Sequence, residues 1–389
     1  MTTVLVFSHL RWDFVYQRPQ HLLSRLAAHH RIIVVEEPMR ADGDAGLHRS
    51  VVAPGVEVLR PHTPLASWGF ADDQMAAIAP LLERHLAEQA IDPGVVWFYT
   101  PMALPLLDGL KPRVVVYDCM DELAAFLGAP PALREREACL LELADVVLTG
   151  GPSLYEAKRA PGRHVLCLPS SVDARHFAPV VTAADDPRVL AADALQGAIA
   201  EPRLGFFGVV DERMDLALVD RLATSDPAWQ IVMVGPVVKI DPASLPRRPN
   251  VHWLGQQPYE LLPRLIAGWQ LCLLPFALNE STRFISPTKT LEYLAAEKPV
   301  VSTAVRDVES LYGDVVCIAR EPDEFVAACR RLLAESTEAR RDRLAAAAAT
   351  VSRYSWDRTA QVVAAEIAAA MGEAEGDAQD RPSRRAAAA

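Results

Sequence analysis

The sequence predicts an α/β protein built as two doubly wound domains that face each other across a cleft. Three observations predict it. The 389 residues exceed one ordinary core and suit two. Short runs rich in Val, Ile and Leu alternate with segments of helical spacing, the pattern of parallel strands covered on both faces by helices. That alternation fades in mid-chain and then restarts, so the unit occurs twice.

In the first half the predicted strands are Val4–Phe7, Ile32–Val35, Val95–Tyr99, Val114–Tyr117, Val146–Thr149 and Val165–Leu168. Gln20–Ala28, with Leu22, Leu23, Leu26 and Ala27 on one side, is a predicted helix between the first two. These elements define an N-terminal domain over 1–180. Residues 181–200, with Asp185-Asp186-Pro187 and many alanines, are predicted as the linker. The second domain, 201–355, carries Leu204–Phe207, Ile231–Val234, Val251–Leu254, Leu271–Leu274, Val300–Ser302 and Val315–Ala319. A helix over 356–372 is expected to return toward the first domain, and the charged, alanine-rich 373–389 is expected to be disordered. The two halves share an architecture but no residue-level repeat.

Composition narrows the function classes. Hydrophobic residues make up 51% and charged residues 23%, which fits a folded protein and excludes wholesale disorder. Thirty-nine basic against fifty acidic side chains leave a net charge of −11, which disfavours general nucleic-acid binding. Six scattered cysteines without a Cys-x-x-Cys pair read as reduced core residues. A strand begins almost at the amino terminus, without a signal peptide, and no apolar run reaches the length of a membrane span. A cytoplasmic location follows as the expectation.

The richest segment runs from Pro275 to Val301. A strand ends at Pro275, a polar loop follows, and a helix is predicted with Ser286 as its N-cap and Pro287 at its first position. Amides at such a helix start, with Lys289 close by, suit a phosphate. Lys289 and Glu292 lie three apart and share a face. A cation for a diphosphate and a carboxylate for ribose hydroxyls would then line one nucleotide pocket. The same spacing also describes a surface ion pair on an ordinary capped helix.

This stretch resembles the donor-site helix of GT-B fold glycosyltransferases, in the large retaining family called glycosyl transferases group 1. The subgroup it resembles contains bacterial polysaccharide and teichuronic-acid-type transferases. The second glutamate of the family's Glu-x7-Glu pattern stands at Glu292, followed by Lys298-Pro299-Val300-Val301. The first is replaced by Phe284, so its role near the sugar is not carried over. Gly208 and Arg213, in Leu204–Arg213, match the glycine and the diphosphate-contacting basic residue of the family; the arginine often found after the glycine is Val209 here. Gly235 and the 249–255 stretch resemble the strand ends around the base. Leu168–Asp173 with Phe177 resembles the segment that closes the first domain. The resemblance implies two Rossmann-like domains, with Gly208, Gly235, Ser286, Thr288, Lys289 and Glu292 binding the donor and Arg213 and Lys289 stabilising the leaving diphosphate.

Acceptor binding is expected in the first domain. The loop Phe7–His21 is rich in aromatic and hydrogen-bonding side chains, and Trp12, Arg18 and His21 are its candidates for holding a sugar. A packed loop with Trp12 and Tyr16 in the core and Arg18 in a structural ion pair is the plainer reading. Asp118, Asp121 and Glu122 follow a strand, and Asp121 is the candidate base, or else a helix N-cap. Asp42-Gly43-Asp44 looks like a metal-binding carboxylate pair but is explained by a turn. No metal and no resident cofactor are therefore expected, with a UDP- or GDP-sugar as substrate.

The sequence function is transfer of a sugar from a nucleotide diphosphate to a hydroxyl of a glycan, lipid-linked or small-molecule acceptor in cell-surface polysaccharide synthesis. A sugar-nucleotide 2-epimerase and a non-catalytic sugar-nucleotide-binding protein are the competing readings. Arg11, Arg18, Arg25 and Arg31, interleaved with apolar residues, suit peripheral contact with the inner face of a membrane as well as an ordinary solvated surface.

Overall fold

The computed structural model describes residues 1–179 and 185–376. It divides into two units, Met1–Pro169 together with the chain from Asp357 on, and Ser170–Trp356.

The first unit contains β1 (Thr3–Ser8), α1 (Arg18–Leu26), β2 (Arg31–Glu36), β3 (Met39–Arg40), β4 (Gly46–Ala53), β5 (Val56–Thr63), α2 (Asp72–Glu88), β6 (Pro93–Phe98), β7 (Val114–Cys119), α3 (Leu133–Leu143), β8 (Val146–Thr149), α4 (Pro152–Lys158) and β9 (Val165–Cys167). Its sheet runs β3-β5-β2-β1-β6-β7-β8-β9, with β4 pairing antiparallel to the outer side of β5. The order reverses between β1 and β6. Val4, Leu5, Val6 and Phe7 are all fully buried, because helices cover both faces of this central strand. The β4–β5 hairpin was not predicted. Its polar, half-exposed β4 lacks the apolar run that marks the central strands.

The second unit contains α5 (Ala174–Phe177), α6 (Pro187–Gln196), β10 (Arg203–Phe207), α7 (Leu216–Ser225), β11 (Gln230–Val234), β12 (Val251–Trp253), α8 (Leu262–Ala267), β13 (Leu271–Leu274), α9 (Lys289–Ala295), β14 (Val300–Thr303), α10 (Arg306–Tyr312), β15 (Cys317–Ala319), α11 (Pro322–Leu333) and α12 (Thr337–Val351). Its six strands are all parallel in the order β12-β11-β10-β13-β14-β15, a doubly wound sheet whose order reverses between β10 and β13.

Two boundaries differ from expectation. The units divide at Pro169, and Val172 and Phe177 pack into the core of the second unit rather than closing the first. The expected linker is largely helix: α6 is capped by Asp186, starts on Pro187, and is held when the buried Gln196 amide donates to the Leu265 carbonyl and accepts from Trp269 Nε1. Residues 181–184 of that linker, and 377–389 of the expected disordered tail, lie outside the described residues. The last helix, α13 (Trp356–Gly376), buries Val363 and Ile367 against Val95, Trp97 and Val114 of the first unit.

Candidate active site

In an open parallel sheet, the loops at the carboxyl ends part where the strand order reverses, and the crevice so made receives ligands. In the second unit this crevice lies beyond β10 and β13. Gly208 follows β10 directly. Its φ is +134°, and a Cβ placed there would lie 1.9 Å from Lys289 Cε and 2.5 Å from Nζ. Only glycine lets the lysine cross the backbone at this point. Gly235 follows β11 with φ +145°, and its Cβ would fall 1.9 Å from the Gly208 carbonyl oxygen. The Gly208 amide donates to Val234 O at 2.8 Å, and the Gly235 amide to Gly255 O at 2.8 Å. The glycines thus form a bare backbone ledge along three neighbouring strand ends, with the Lys289 ammonium above it.

Lys289 is the first residue of α9, and its Nζ sits 5.7 Å from the Phe206 ring centre. The helix begins later than predicted. Thr288, not Ser286, is the N-cap, and it makes no side-chain cap bond. The Pro287 carbonyl accepts from the Thr290 amide, so Ser286 and Pro287 belong to the approach loop rather than to the first turn. Glu292 is buried, contrary to a surface ion pair. Burial pushes its carboxyl up to about 7, and the Lys289 charge pulls back in the opposite direction. The neighbouring Tyr293 is also fully buried, and its hydroxyl accepts the Phe207 amide at 3.0 Å. This bond fixes α9 to the end of β10 immediately before Gly208, a support that sequence reasoning missed although Tyr293 stands beside Glu292 in the motif.

Arg213 is clamped by Asp211. Its Nη2 lies 2.6 Å from Asp211 Oδ2, and its Nε bonds both carboxylate oxygens at 3.0 and 3.1 Å. Its guanidinium is thereby oriented, and much of its charge is matched locally, which leaves Lys289 as the cation lying on the glycine ledge. The loop carrying Arg213 is joined to the one after β13, through Ala277 N to Arg213 O at 2.8 Å and Asp215 N to Pro275 O at 2.9 Å. These bonds brace both sides of the crevice.

The first unit corrects the acceptor reading. Arg18 is fully buried, as is Asp118, and the two are paired with Nε 3.0 Å from each carboxylate oxygen. Arg18 Nη1 also donates to Leu168 O at 2.9 Å. This arginine therefore ties α1 to the ends of β7 and β9 and is closed to solvent. His21 is buried too, with its ring edge-on to Tyr16 at 4.7 Å. Trp12 is half-buried against the core; its amide donates to Glu36 Oε1 at 2.7 Å and its carbonyl accepts from Gln20 Nε2 at 2.9 Å. The plainer reading holds for Arg18 and for the packing of Trp12 but not for Tyr16, which is exposed, as are Asp13 and Phe14 at the turn of the loop.

The three carboxylates at the end of β7 and just beyond it are not presented together. Asp118 is paired with Arg18, and Glu122 lies 2.6 Å from Lys158, which also holds Glu137 at 2.8 Å. Asp121 is half-buried in the bend that follows β7, and its carbonyl receives the Cys119 thiol at 3.6 Å. Among the described residues no group of three or more His, Cys, Asp or Glu side chains gathers as for a metal ion. Asp42 and Asp44 flank Gly43 in a bend, though the two-residue β3 does lead into it.

Two doubly wound units make the GT-B fold, and the sequence matches that follow support a glycosyltransferase, an enzyme that transfers a sugar from a nucleotide sugar. Residues 213–365 match the family described as glycosyl transferase-like. The chain is 26% identical over 279 residues to the putative teichuronic acid biosynthesis glycosyltransferase TuaH of Bacillus subtilis (strain 168), covering 67% of this chain and 68% of that protein. Solved structures share the fold. Sucrose-phosphate synthase from Thermosynechococcus elongatus superposes with a TM-score of 0.69 at 15% identity, over 94% of this chain and 98% of its own. HepE of Anabaena, solved with UDP and glucose, gives 0.68 at 16% identity, over 95% and 100%. Neither the epimerase nor the non-catalytic reading is favoured by these likenesses.

Proposed function

We propose that the second unit binds a nucleoside-diphosphate sugar on the Gly208–Gly235 ledge, and that the sugar passes to a hydroxyl of a glycan or lipid-linked acceptor in the synthesis of a cell-surface polysaccharide. The observation that carries this reading is Lys289 lying across Gly208 with the buried carboxylate of Glu292 one turn behind it. The ledge offers close approach to a diphosphate, the ammonium opposes the negative charge that builds as the anomeric carbon–oxygen bond breaks, and Glu292 accepts hydrogen bonds from ribose hydroxyls. Thr288 and Ser286 stand at the approach to the same helix, and Arg213 lines the loop after β10, clamped by Asp211.

Transfer with retention follows from the family resemblance: the acceptor oxygen bonds to the anomeric carbon on the face the diphosphate leaves, and its proton passes to a departing phosphate oxygen. No metal step is needed, so chelator leaves the rate unchanged. Inversion would instead require a base such as Asp121, and the anomeric configuration of the product distinguishes the two. The acceptor class rests on the teichuronic acid relative, whose 26% identity spans 67% of this chain. No helix among the described residues is long and apolar enough to cross a membrane; the proposed place of action is the cytoplasm, with peripheral contact at the inner face of the membrane where a lipid-linked acceptor would lie.

Thermal unfolding of the purified protein against UDP, GDP and their sugars tests the donor site, because a ligand of the folded state raises the midpoint by mass action. The expected result is a selective rise with one base, lost in Lys289→Ala and in Glu292→Ala. No rise with any nucleotide in a folded sample would refute it.

A further inference from the structure

A second cavity lies in the same unit at the opposite edge of the sheet. It has a volume of about 650 Å³ and is bordered by Pro202, Gln270 and Pro299, the residues immediately before β10, β13 and β14. Volumes of this order hold small organic ligands. The wall combines apolar surface, from the partly buried Leu332 and Leu333 among others, with four cationic side chains, Arg264, Lys298, Arg340 and Arg343, against two acidic ones, Glu297 and Glu335. In a chain of net charge −11 this is a local reversal of sign.

The cations are not equivalent. Arg343 is matched by Glu335, with Nε–O distances of 3.0 and 3.2 Å and a further Nη2 bond at 3.0 Å. Lys298 is held by neutral groups: its Nζ donates to Ala267 O at 2.9 Å and Trp269 O at 2.8 Å. An ammonium has three N–H bonds, so one remains after these two. Arg340 is exposed and makes no ion pair with any described residue. Burial holds Lys298 below its usual range and the like charge of Arg340 adds to this, while Cys272 and the carboxylates of Glu201 and Glu297 pull the other way. Cations brought together in a concavity, with carboxylate partners for only part of them, raise the local affinity for an anion.

We propose that this cavity is a second ligand site, which takes a small phosphate-bearing organic anion with its phosphate on Lys298 and Arg340 and its carbon skeleton against Leu332 and Leu333. It lies at the amino ends of strands whose carboxyl ends carry the donor site. The ligand is therefore an effector or accessory ligand and not the donor. Lys298 stands in the Lys-Pro-Val-Val segment singled out in the sequence, and the donor chemistry gives it no part.

The test separates the two sites by working in the Lys289→Ala protein, whose glycine ledge has lost its cation. Inorganic phosphate and ribose 5-phosphate are titrated by calorimetry and thermal unfolding at constant ionic strength maintained with sodium chloride. Saturable binding is expected, tighter for the ester, and at least tenfold weaker after Arg340→Glu. Arg340→Gln serves as the milder variant, and the unliganded midpoints of both show that the fold is kept. Absence of saturable binding in the Lys289→Ala protein, or binding that survives both Arg340 substitutions, overturns the proposal. Neither result bears on nucleotide binding by the unsubstituted Lys289 site.

Discussion

Lys289 and Gly208 form one unit at the residue scale, since each has its position only because of the other. Lys289→Ala removes a charge-assisted contact to phosphate worth about 1.5–3 kcal/mol, so donor affinity should fall roughly 10- to 100-fold in a direct titration. Gly208→Ala should lose binding as well, because its methyl group would displace the lysine side chain that lies 1.9 Å from its position. Glu292 supplies a pH dependence whose sign is definite. Its carboxyl is raised to about 7 from an ordinary 4.5, so the folded state holds a proton that the unfolded state gives up. The resulting stability is complete below 4.5 and is lost as pH rises to about 7, by an amount on the order of 3 kcal/mol. Glu292→Gln should flatten this slope in a series of denaturant midpoints and leave the protein more stable at pH 8 than the parent. Donor binding runs the other way. Ribose hydroxyls want the ionised carboxylate, so the affinity for a nucleotide sugar should rise up to about tenfold from pH 6 to pH 8.

The elements show what could be read from the sequence and what could not. The central strands were legible because burial on both faces leaves only apolar residues, as in Leu271–Leu274, and all four are fully buried. Lys289, Glu292 and Gly208 were legible as a set because a recurring motif carries them. The exact start of α9 was not, since Ser286-Pro287 is a strong start signal that local sequence cannot distinguish from a loop turning into a helix two residues later. Nor could Arg18 be placed. A loop arginine among aromatics looks like a sugar ligand until its partner, Asp118, one hundred residues away, is brought beneath it. The buried pair makes a clear prediction: Arg18→Leu should destabilise the first unit by about 3–5 kcal/mol, and pairing it with Asp118→Leu should recover part of that loss, measured by urea denaturation. The α6 helix was hidden by its composition, because alanines and aspartates suggested a linker. Its anchor is long-range, and Gln196→Ala should cost about 2 kcal/mol by leaving the Trp269 indole and the Leu265 carbonyl unsatisfied. A true linker residue would change the midpoint by less than half a kilocalorie.

At the scale of the molecule, two sheets carry the same doubly wound logic, yet chemistry concentrates at the switch point of only one of them. In the second unit the crevice beyond β10 and β13 is lined by bare glycine backbone and a lysine. In the first, the corresponding space beyond β1 is filled by a loop fastened to Glu36 and by the Arg18–Asp118 pair. Nucleotide binding should therefore reside in the second unit alone. Hydrogen exchange with bound nucleotide should protect the loops after β10 and β11 and the start of α9, without equal protection of residues 9–21.

The first unit is completed by a helix that lies at the far end of the chain. Its core waits for Val363 and Ile367, while everything from Ser170 to Trp356 is threaded between its two parts. On the ribosome the second unit is therefore whole before the first can be. At about 5–20 residues per second, the strands of the first unit remain without their covering helix for roughly 10–40 s after Pro169 has been added. The birth order of the two units is thus the reverse of their order in the gene: the nucleotide-binding half matures first, and the other half closes only when the final helix emerges.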